Sequence, residues 1–448
     1  MCGIVGFVDN KPKSKKEKII KDMADKIAHR GPDAAGYYND SVVSLGHRRL
    51  SIIDLSDKGT QPIYNEDKSK VIVFNGEIYN YKEIKNVLLQ KGHKFRTETD
   101  TEVILHGYEE YGTKLFEKLR GMFAFVIYDK EKNELVGARD HFGIKPLYYY
   151  KEKDNFMFAS EIKAFLAHPD FKKEVNKKAL KMYLIFQYSV FEETFFKNVF
   201  KLKPGHYFIY KNNKLEIKEF FNIDFKKSKK SFNSLKKELQ NILEDSIKYH
   251  QMTSDVEVGS YLSGGVDSSY VVSVAKPDKT FSVGFSEAGF DETEYAKELS
   301  KMLKIKNYQK HISSDDFFNA LPIVQYHTDE PHANLSTVPL YFLSELARKQ
   351  VKVVLSGEGS DEMFAGYNEY NEPTILKIYR YVPLFIRQFI AFVARQFPHF
   401  PGQNTLKLYG KPIEERYIGH GSLFEEKEIN KVLCDDLKDD MKIRDVLK

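Results

Sequence analysis

Cysteine is nearly absent from this chain of 448 residues, with only Cys2 and Cys434 present. Two thiols cannot build a disulfide framework, and the count suits a reducing compartment. Long apolar runs are missing too. The most apolar stretch, Val382 to Ala394, is interrupted by Arg387 and Gln388 and is too short to cross a bilayer. It reads as a buried or amphipathic helix. Residues 1 to 20 hold no apolar segment of the secretory type, so the expected setting is soluble and cytoplasmic. Charge of one sign is also scarce: 69 basic against 64 acidic residues leaves a net +5. That imbalance predicts no field for nucleic acid or membrane. Lysine clusters at Lys11 to Lys18 and Lys226 to Lys230 lack interleaved aromatics and read as solvated loops. No internal repeat is evident. No GxxxxGK[ST] pattern occurs, which argues against an ordinary P-loop nucleotidase.

What is present is enough apolar sequence, 42%, for sizeable cores, in a length that suits about three domains. Strand-like runs at Val71 to Phe74, Met122 to Tyr128, Glu134 to Ala138, Leu147 to Tyr150 and Phe156 to Ala159 alternate with polar turns at hairpin spacing. Helical periodicity falls between them, as at Tyr81 to Leu89. This pattern predicts a layered α+β domain with antiparallel sheets over residues 1–205. Lysine- and asparagine-rich residues 206–235 read as a linker. Residues 236–372 then alternate strand (Val256 to Leu262, Thr280 to Phe285, Val351 to Leu355) and helix (Asp267 to Ala275, Leu340 to Lys349), which predicts a doubly wound parallel sheet. Residues 373–448 show helical periodicity only.

Two glycine turns fall at the carboxyl ends of strands in that sheet, where such folds bind ligands. The first, Tyr261-Leu262-Ser263-Gly264-Gly265-Val266-Asp267-Ser268-Ser269, leads from a strand into a helix. Its backbone N–H groups and the helix dipole would make an anion site, with hydroxyls from Ser263, Ser268 and Ser269. Asp267 is ill placed beside an anion unless Mg²⁺ bridges it to phosphate. The second turn, Ser356-Gly357-Glu358-Gly359-Ser360-Asp361-Glu362, gathers three carboxylates that are costly to bring together without a cation or a catalytic task.

On these residues the chain resembles a family. SGGVDS is the signature of the ATP pyrophosphatases, and with LSGEGSDEMFAGY it is similar to the synthetase half of the glutamine-hydrolysing asparagine synthetases. The amino terminus supports the same family from separate residues. Met1-Cys2-Gly3-Ile4-Val5-Gly6 would expose Cys2 as an N-terminal nucleophile once Met1 is removed, with its own α-amine as base. His29 to Asp33, Gly46 to Ile53, Phe74 to Asn80, Thr99 to Glu102 and Arg139 to Tyr148 match class II glutamine amidotransferases. The resemblance implies an N-terminal nucleophile hydrolase sandwich (α/β/β/α), followed by the α/β doubly wound ATP pyrophosphatase domain.

It implies site residues as well. Cys2 attacks the amide of glutamine, while the Asn75 side chain and the Gly76 N–H stabilise the oxyanion. Arg49 suits the α-carboxylate and Glu77 with Asp100 the α-ammonium, with the backbone of Leu50, Ser51, Ile52 and Ile53 lining the pocket. Leu262, Val283, Ser356 and Gly357 contact the adenosine part of ATP. Ser263, Gly264, Gly265 and Ser268 take pyrophosphate with Mg²⁺, and Asp267 and Asp361 orient metal or aspartate. Glu358 serves the acyl-adenylate and ammonia steps. The expected overall reaction makes asparagine, AMP, pyrophosphate and glutamate from aspartate, ATP and glutamine. Expected partners are these small molecules and a second copy in a homodimer, with neither nucleic acid nor membrane.

The chain also departs from the family. A DRxSMxxxxExRxPFLD-like stretch and a phosphate-touching lysine have no match here, although Glu414 to His420 still looks family-like. The expectation is therefore a carboxyl end shorter than the family's. Two alternatives stay open: a related ATP-dependent amidotransferase with another carboxylate acceptor, and a form with glutaminase or binding activity only.

Overall fold

In the segment Lys70–Ile78, Val71 and Val73 point one way, Ile72 and Phe74 the other, and all four are buried. A strand buried on both faces must lie in a sheet covered on both sides. The computed structural model, which describes residues 1–9, 12–287, 291–367, 373–412, 424, 426–441 and 446, shows that arrangement. Its first sheet is built from β1 (Gly3–Val8), β2 (Ala34–Asn39), β3 (Val43–Arg49), β8 (Tyr148–Glu152), β9 (Asn155–Ala159) and β10 (Val199–Lys201), in the order β10-β8-β9-β1-β3-β2. The second holds β4 (Ile63–Tyr64), β5 (Lys70–Ile78), β6 (Gly121–Asp129), β7 (Glu134–Arg139), β11 (His206–Lys211) and β12 (Lys214–Glu219), in the order β12-β11-β7-β6-β5-β4. All neighbours in both sheets run antiparallel.

Ile4, Leu45, Val73, Val126, Phe158 and Phe208 fill the space between the sheets. Helix α1 (Lys13–Lys26) covers the outer face of the first sheet, packing Ile20 and Met23 on Val5 and Phe7. Helices α2 (Tyr81–Gln90) and α3 (Thr101–Tyr111) cover the second, with Leu88 and Ile104 in one cluster with Phe74 and Phe125. The result is the α/β/β/α sandwich.

A third, parallel sheet follows: β13 (Val258–Tyr261), β14 (Lys279–Phe285), β15 (Lys306–Ile312) and β16 (Val353–Leu355), ordered β15-β14-β13-β16. Strand β14 turns Phe281, Val283 and Phe285 toward α8 (Ser314–Thr328) and α9 (Thr337–Arg348). Its Thr280 faces α7 (Thr293–Met302), where its hydroxyl meets that of Ser300 at 3.0 Å. Helices α5 (Phe232–Met252) and α6 (Val266–Ala275) complete the winding around Leu355 and Val258.

By compactness the chain divides into Met1–Glu174 with Glu192–Ser356, and Val175–Phe191 with Gly357–Lys448. In the second unit, helix α4 (Lys177–Phe186) packs Met182 and Ile185 against Ile429. The apolar stretch near Val382 is the helix Leu384–Ala394, whose buried Arg387 donates to the carbonyls of Val382 at 2.8 Å and Tyr409 at 2.7 Å. No helix among the described residues is long and apolar enough to cross a membrane.

The structure corrects the reading of residues 206–235 as linker. Their first part forms the hairpin β11–β12, and β11 pairs with β7 through Tyr207 to Tyr210. Lysine and asparagine dominate the turn Asn212-Asn213 and exposed β12, masking the alternation that buries Phe208 and Tyr210. Strand β15 was not foreseen because an edge strand with lysine at two of its seven positions carries little apolar signal. The family-like segment Glu414 to His420 and the expected boundary at Glu372 lie outside the described residues.

Phe208 is wholly buried between the sheets, so Phe208→Ala should cost about 3–5 kcal/mol of stability. Urea unfolding followed by circular dichroism reads that loss; a loss below 1 kcal/mol would mean residues 206–219 are dispensable as a linker would be.

Candidate active site

Cys2 immediately precedes β1, and the chain after β3 wraps across it. The Leu50 N–H approaches the thiol sulfur at 3.4 Å, and the thiol faces the Leu50 carbonyl at 3.7 Å. Burial raises the thiol's pKa, while the Leu50 contact and the terminal ammonium oppose the rise. The α-amine of Met1 is depressed to about 5, first by burial and then by the charges of Arg30 and Lys145. Arg30 Nε donates to the Cys2 carbonyl at 2.9 Å and a second guanidinium nitrogen to Glu161 at 2.9 Å, which fixes the start of the chain.

Strand β5 carries the next three candidates on consecutive residues. Asn75 is fully enclosed, and neither its amide nitrogen nor its oxygen has a hydrogen-bond partner among the described residues. Leaving a buried polar atom unmade costs about 1–3 kcal/mol, so such a side chain marks a place where a ligand is expected. At Gly76 any Cβ would lie 2.2 Å from the Met122 carbonyl oxygen, so only glycine fits there. Glu77 accepts a 2.5 Å hydrogen bond from the Thr253 hydroxyl, and Asp100, just before α3, accepts from the Ile78 N–H at 2.8 Å. Burial pushes both carboxyls upward, Asp100 to about 7, and for Asp100 the charge on Glu77 adds to the rise. Neither has an ion-pair partner within 4 Å among the described residues. Asp100 also acts electrostatically on the Cys2 thiol, which places the two in one field.

Arg49, expected on a substrate carboxylate, is buried and donates to backbone carbonyls of its own loop: Ser56 at 2.6 Å, Ile53 at 3.5 Å, and Asp54. Gly59 makes room for it, since a Cβ there would sit 2.2 Å from the guanidinium. Arg49 therefore shapes the segment Leu50, Ser51, Ile52 and Ile53. That segment is held from outside as well: Ser51 N–H by Asp33 at 2.9 Å, and the Ile52 carbonyl by the Asp255 N–H at 3.1 Å.

Several functional neighbours went unassigned in the sequence. Thr253 and Asp255 follow α5, 176 positions from Glu77 and 201 from Asp54 respectively, and no local pattern marks them. Lys352, before β16, pairs with Asp33 at 2.6 Å. Lys145 sits inside a quoted motif without a role. It is 4% exposed, depressed to about 8 by burial and by Arg30, and its ammonium lies 3.0 Å from the Met1 sulfur.

In the parallel sheet, β13 delivers Leu262, whose N–H bonds the Phe281 carbonyl at 2.9 Å and whose carbonyl accepts from Ser282 at 2.7 Å. The turn after it is organised by hydroxyls. Ser263 and Ser268 lie 3.0 Å apart, Ser263 accepts from the Gly265 N–H at 3.2 Å, and Ser268 accepts from the Ser263 N–H at 3.3 Å. Gly264 has φ +91° and no space for a Cβ, which would fall 2.8 Å from Tyr295. Asp267 occupies the first turn of α6, and Val283 lies on the adjacent β14. Ser356 closes the first unit after β16. Gly357, Glu358 and Asp361 open the second, where the Ser360 hydroxyl bonds the Gly357 carbonyl at 2.9 Å. The structure thus gathers the Cys2 set around β1 and β5, and the Ser263–Ser268 set at the carboxyl end of β13.

An amino-terminal thiol on a two-sheet sandwich, joined to a parallel sheet with a serine-glycine turn, defines a two-part amidotransferase. The chain matches the family model described as a glutamine amidotransferase domain over residues 1–221, and the one described as asparagine synthase over residues 238–435. Asparagine synthetase [glutamine-hydrolyzing] 1 of Bacillus subtilis is 44% identical over 458 residues, covering 100% of this chain and 72% of that protein. Asparagine synthetase [glutamine-hydrolyzing] 3 of the same organism is 34% identical over 82% of this chain and 63% of its own. A solved glutamine phosphoribosylpyrophosphate amidotransferase from B. subtilis aligns over 69% of this chain and 65% of its own, at 16% identity and a TM-score of 0.38, too low to add to the strand order above. The chain belongs to the glutamine-hydrolysing asparagine synthetase family.

Two outcomes follow from the buried carboxyls. A carboxyl whose folded pKa is raised holds its proton more tightly in the folded state, so stability falls as pH rises between the unfolded value near 4 and about 7. Asp100→Asn should therefore be more stable than wild type by a few kcal/mol at pH 8, with the difference shrinking to near zero below pH 4; urea titrations across that range measure it. Thr253→Val should lose about 1–3 kcal/mol at pH 8 by leaving Glu77 without its donor, and Thr253→Ser should recover most of it in the same assay.

Proposed function

We propose that the chain synthesises asparagine from aspartate, with glutamine as nitrogen donor and ATP as energy source. The observation that carries this reading is the pair Glu77 and Asp100. Two buried carboxyls with raised pKa values and, among the described residues, no cationic partner within ion-pair distance, beside an Asn75 amide with no hydrogen-bond partner among them, suit a ligand bearing both a cation and a developing oxyanion. Glutamine supplies both. Its α-ammonium would lower the two carboxyls back toward ionisation, and its side-chain amide would present the carbonyl to Cys2.

With Met1 removed, the Cys2 amine takes the thiol's proton as sulfur attacks the amide carbon. The oxyanion receives hydrogen bonds from the Asn75 amide and the Gly76 N–H, each worth about 3 kcal/mol in such a role. Ammonia departs, and water then hydrolyses the thioester to glutamate. In the parallel-sheet half, a β-carboxylate oxygen of aspartate attacks the α-phosphorus of ATP and pyrophosphate leaves. Ammonia displaces AMP from the β-aspartyl adenylate. The residues assigned are Leu262, Val283, Ser356 and Gly357 for the nucleoside, Ser263, Gly264, Gly265 and Ser268 for the pyrophosphate, and Glu358 for the ammonia step. Asp267 and Asp361 offer the hard oxygen donors that Mg²⁺ prefers, and Asp267 in a helix's first turn would repel phosphate without it. Mg²⁺ bound with the nucleotide neutralises phosphate charge. The glutaminase half is assigned to residues 1–221 and the synthetase half to residues 238–435, with the working location the cytoplasm.

A product assay by mass spectrometry, with glutamine, aspartate, ATP and Mg²⁺ each omitted in turn, tests the reading. Asparagine, AMP, pyrophosphate and glutamate should appear together. Glutamate alone would favour an amidase with another or no acceptor. Cys2→Ala should abolish glutamine-dependent synthesis while ammonia-dependent synthesis survives, and Asn75→Ala should lower glutaminase kcat about 10²–10³-fold. Equal loss of both nitrogen sources in Cys2→Ala would refute the division of labour.

A further inference from the structure

Outside the Cys2 site, three chain segments bring Glu66, His93, His106 and Glu109 together so that one donor atom of each lies within 4.8 Å of the others. Glu66 comes from the turn between β4 and β5, and His93 from the loop after α2. His106 and Glu109 stand one turn apart on the same face of α3. His106 Nδ1 is 2.9 Å from Glu109 Oε2 and 3.2 Å from Glu66 Oε2. His93 Nδ1 is 3.4 Å from Glu66 Oε1 and 3.9 Å from Glu109 Oε2. Four ligands at about 2.0–2.1 Å from a tetrahedral zinc ion are separated by about 3.3 Å, so these four edges bracket that spacing and the widest separation in the set, at most 4.8 Å, would have to contract on binding.

We propose that these four side chains form a binding site for a borderline divalent cation of the zinc(II) class, with two imidazole nitrogens and two carboxylate oxygens. A hydrogen-bonded network of the same residues is the competing account, and three observations favour the metal. The carboxylates of Glu66 and Glu109 have no lysine or arginine within ion-pair distance among the described residues; their partners are the two imidazoles. In the other two clusters of this kind the acid already has a cation: Glu161 is held by Arg30 and Lys163, and Asp9 by Lys16. Second, the groups around the four would orient them as ligands. Asn65 Nδ2 donates to Glu109 Oε1 at 2.7 Å and the Lys94 N–H to Glu66 Oε1 at 3.0 Å. The far ring nitrogens face carboxylates, His106 toward Glu102 at 3.8 Å and His93 toward Glu110 at 3.6 Å. Both separations exceed hydrogen-bond distance, and closing them would give the carboxylate-to-imidazole contacts found around metal-bound histidines. Third, the mixed nitrogen and oxygen set suits zinc, cobalt(II) or nickel(II) over Mg²⁺ or Ca²⁺, which prefer oxygen alone. The side chain of His106 is 1% exposed and that of His93 15%, so the site opens to solvent on the Glu66 and Glu109 side, at 32% and 20%.

The test uses the whole chain, stripped with a chelator and titrated with Co²⁺ as the spectroscopic probe. One equivalent should bring up the intense visible bands of a four-coordinate site, and one equivalent of Zn²⁺ should bleach them. His93→Ala and Glu66→Gln, both checked for folding by circular dichroism, should weaken binding by more than about 100-fold, since losing even an outer partner costs about 10–100-fold. His311→Ala, in the parallel sheet, should bind as wild type. Absence of a stoichiometric band, or equal binding in His93→Ala and Glu66→Gln, would overturn the site and leave the hydrogen-bonded network.

Discussion

Strand β5 must satisfy two demands at once, and much of the amino-terminal half follows from how it does so. After the lysine at its start, four residues, Val71 to Phe74, are apolar on both faces, which commits it to the centre of a covered sandwich. Its last residues then place Asn75 and Glu77 in the same buried setting. The backbone pairs all nine residues with β6, and the N–H groups of Phe74 and Ile78 donate to the side chains of Gln61 at 2.6 Å and Asp100 at 2.8 Å. Glu77 finds a hydroxyl, Asn75 finds no hydrogen-bond partner among the described residues, and Asp100 accepts the Ile78 N–H.

The same logic separates what could be read beforehand from what could not. The turn Ser263 to Ser268 was legible because glycine at positive φ and a helix directly after a strand are local events. Cys2, Asn75, Glu77 and Asp100 were legible as members of dense motifs, and their burial supplies the physics the motifs only imply. Arg49 was legible as a residue suited to a carboxylate, while its hydrogen bonds to the carbonyls of Ile53, Asp54 and Ser56 are set by the fold of its loop. Thr253 and Asp255 were invisible, because a hydroxyl 176 positions from its acceptor leaves no pattern in either segment.

Misread elements have equally plain causes. Composition averaged over residues 206–235 hid a hairpin, since one buried face of β11 contributes two aromatics among many lysines. Edge strand β15 has no second buried neighbour to demand apolar side chains. In each case tertiary contacts, and not intrinsic preference, determined the outcome.

The Thr253 hydroxyl belongs to the chain that enters the parallel sheet, while the carboxylate it serves belongs to the sandwich. The two halves are therefore modular in strand order but not in polarity. A fragment ending near residue 221 would keep every strand of both antiparallel sheets, yet Glu77 would have to find another donor and the Leu50–Ile53 loop would lose its Asp255 anchor. Such a piece would be whole as architecture and altered as a pocket, so a gene encoding the sandwich alone would need a substitute for that short segment after α5.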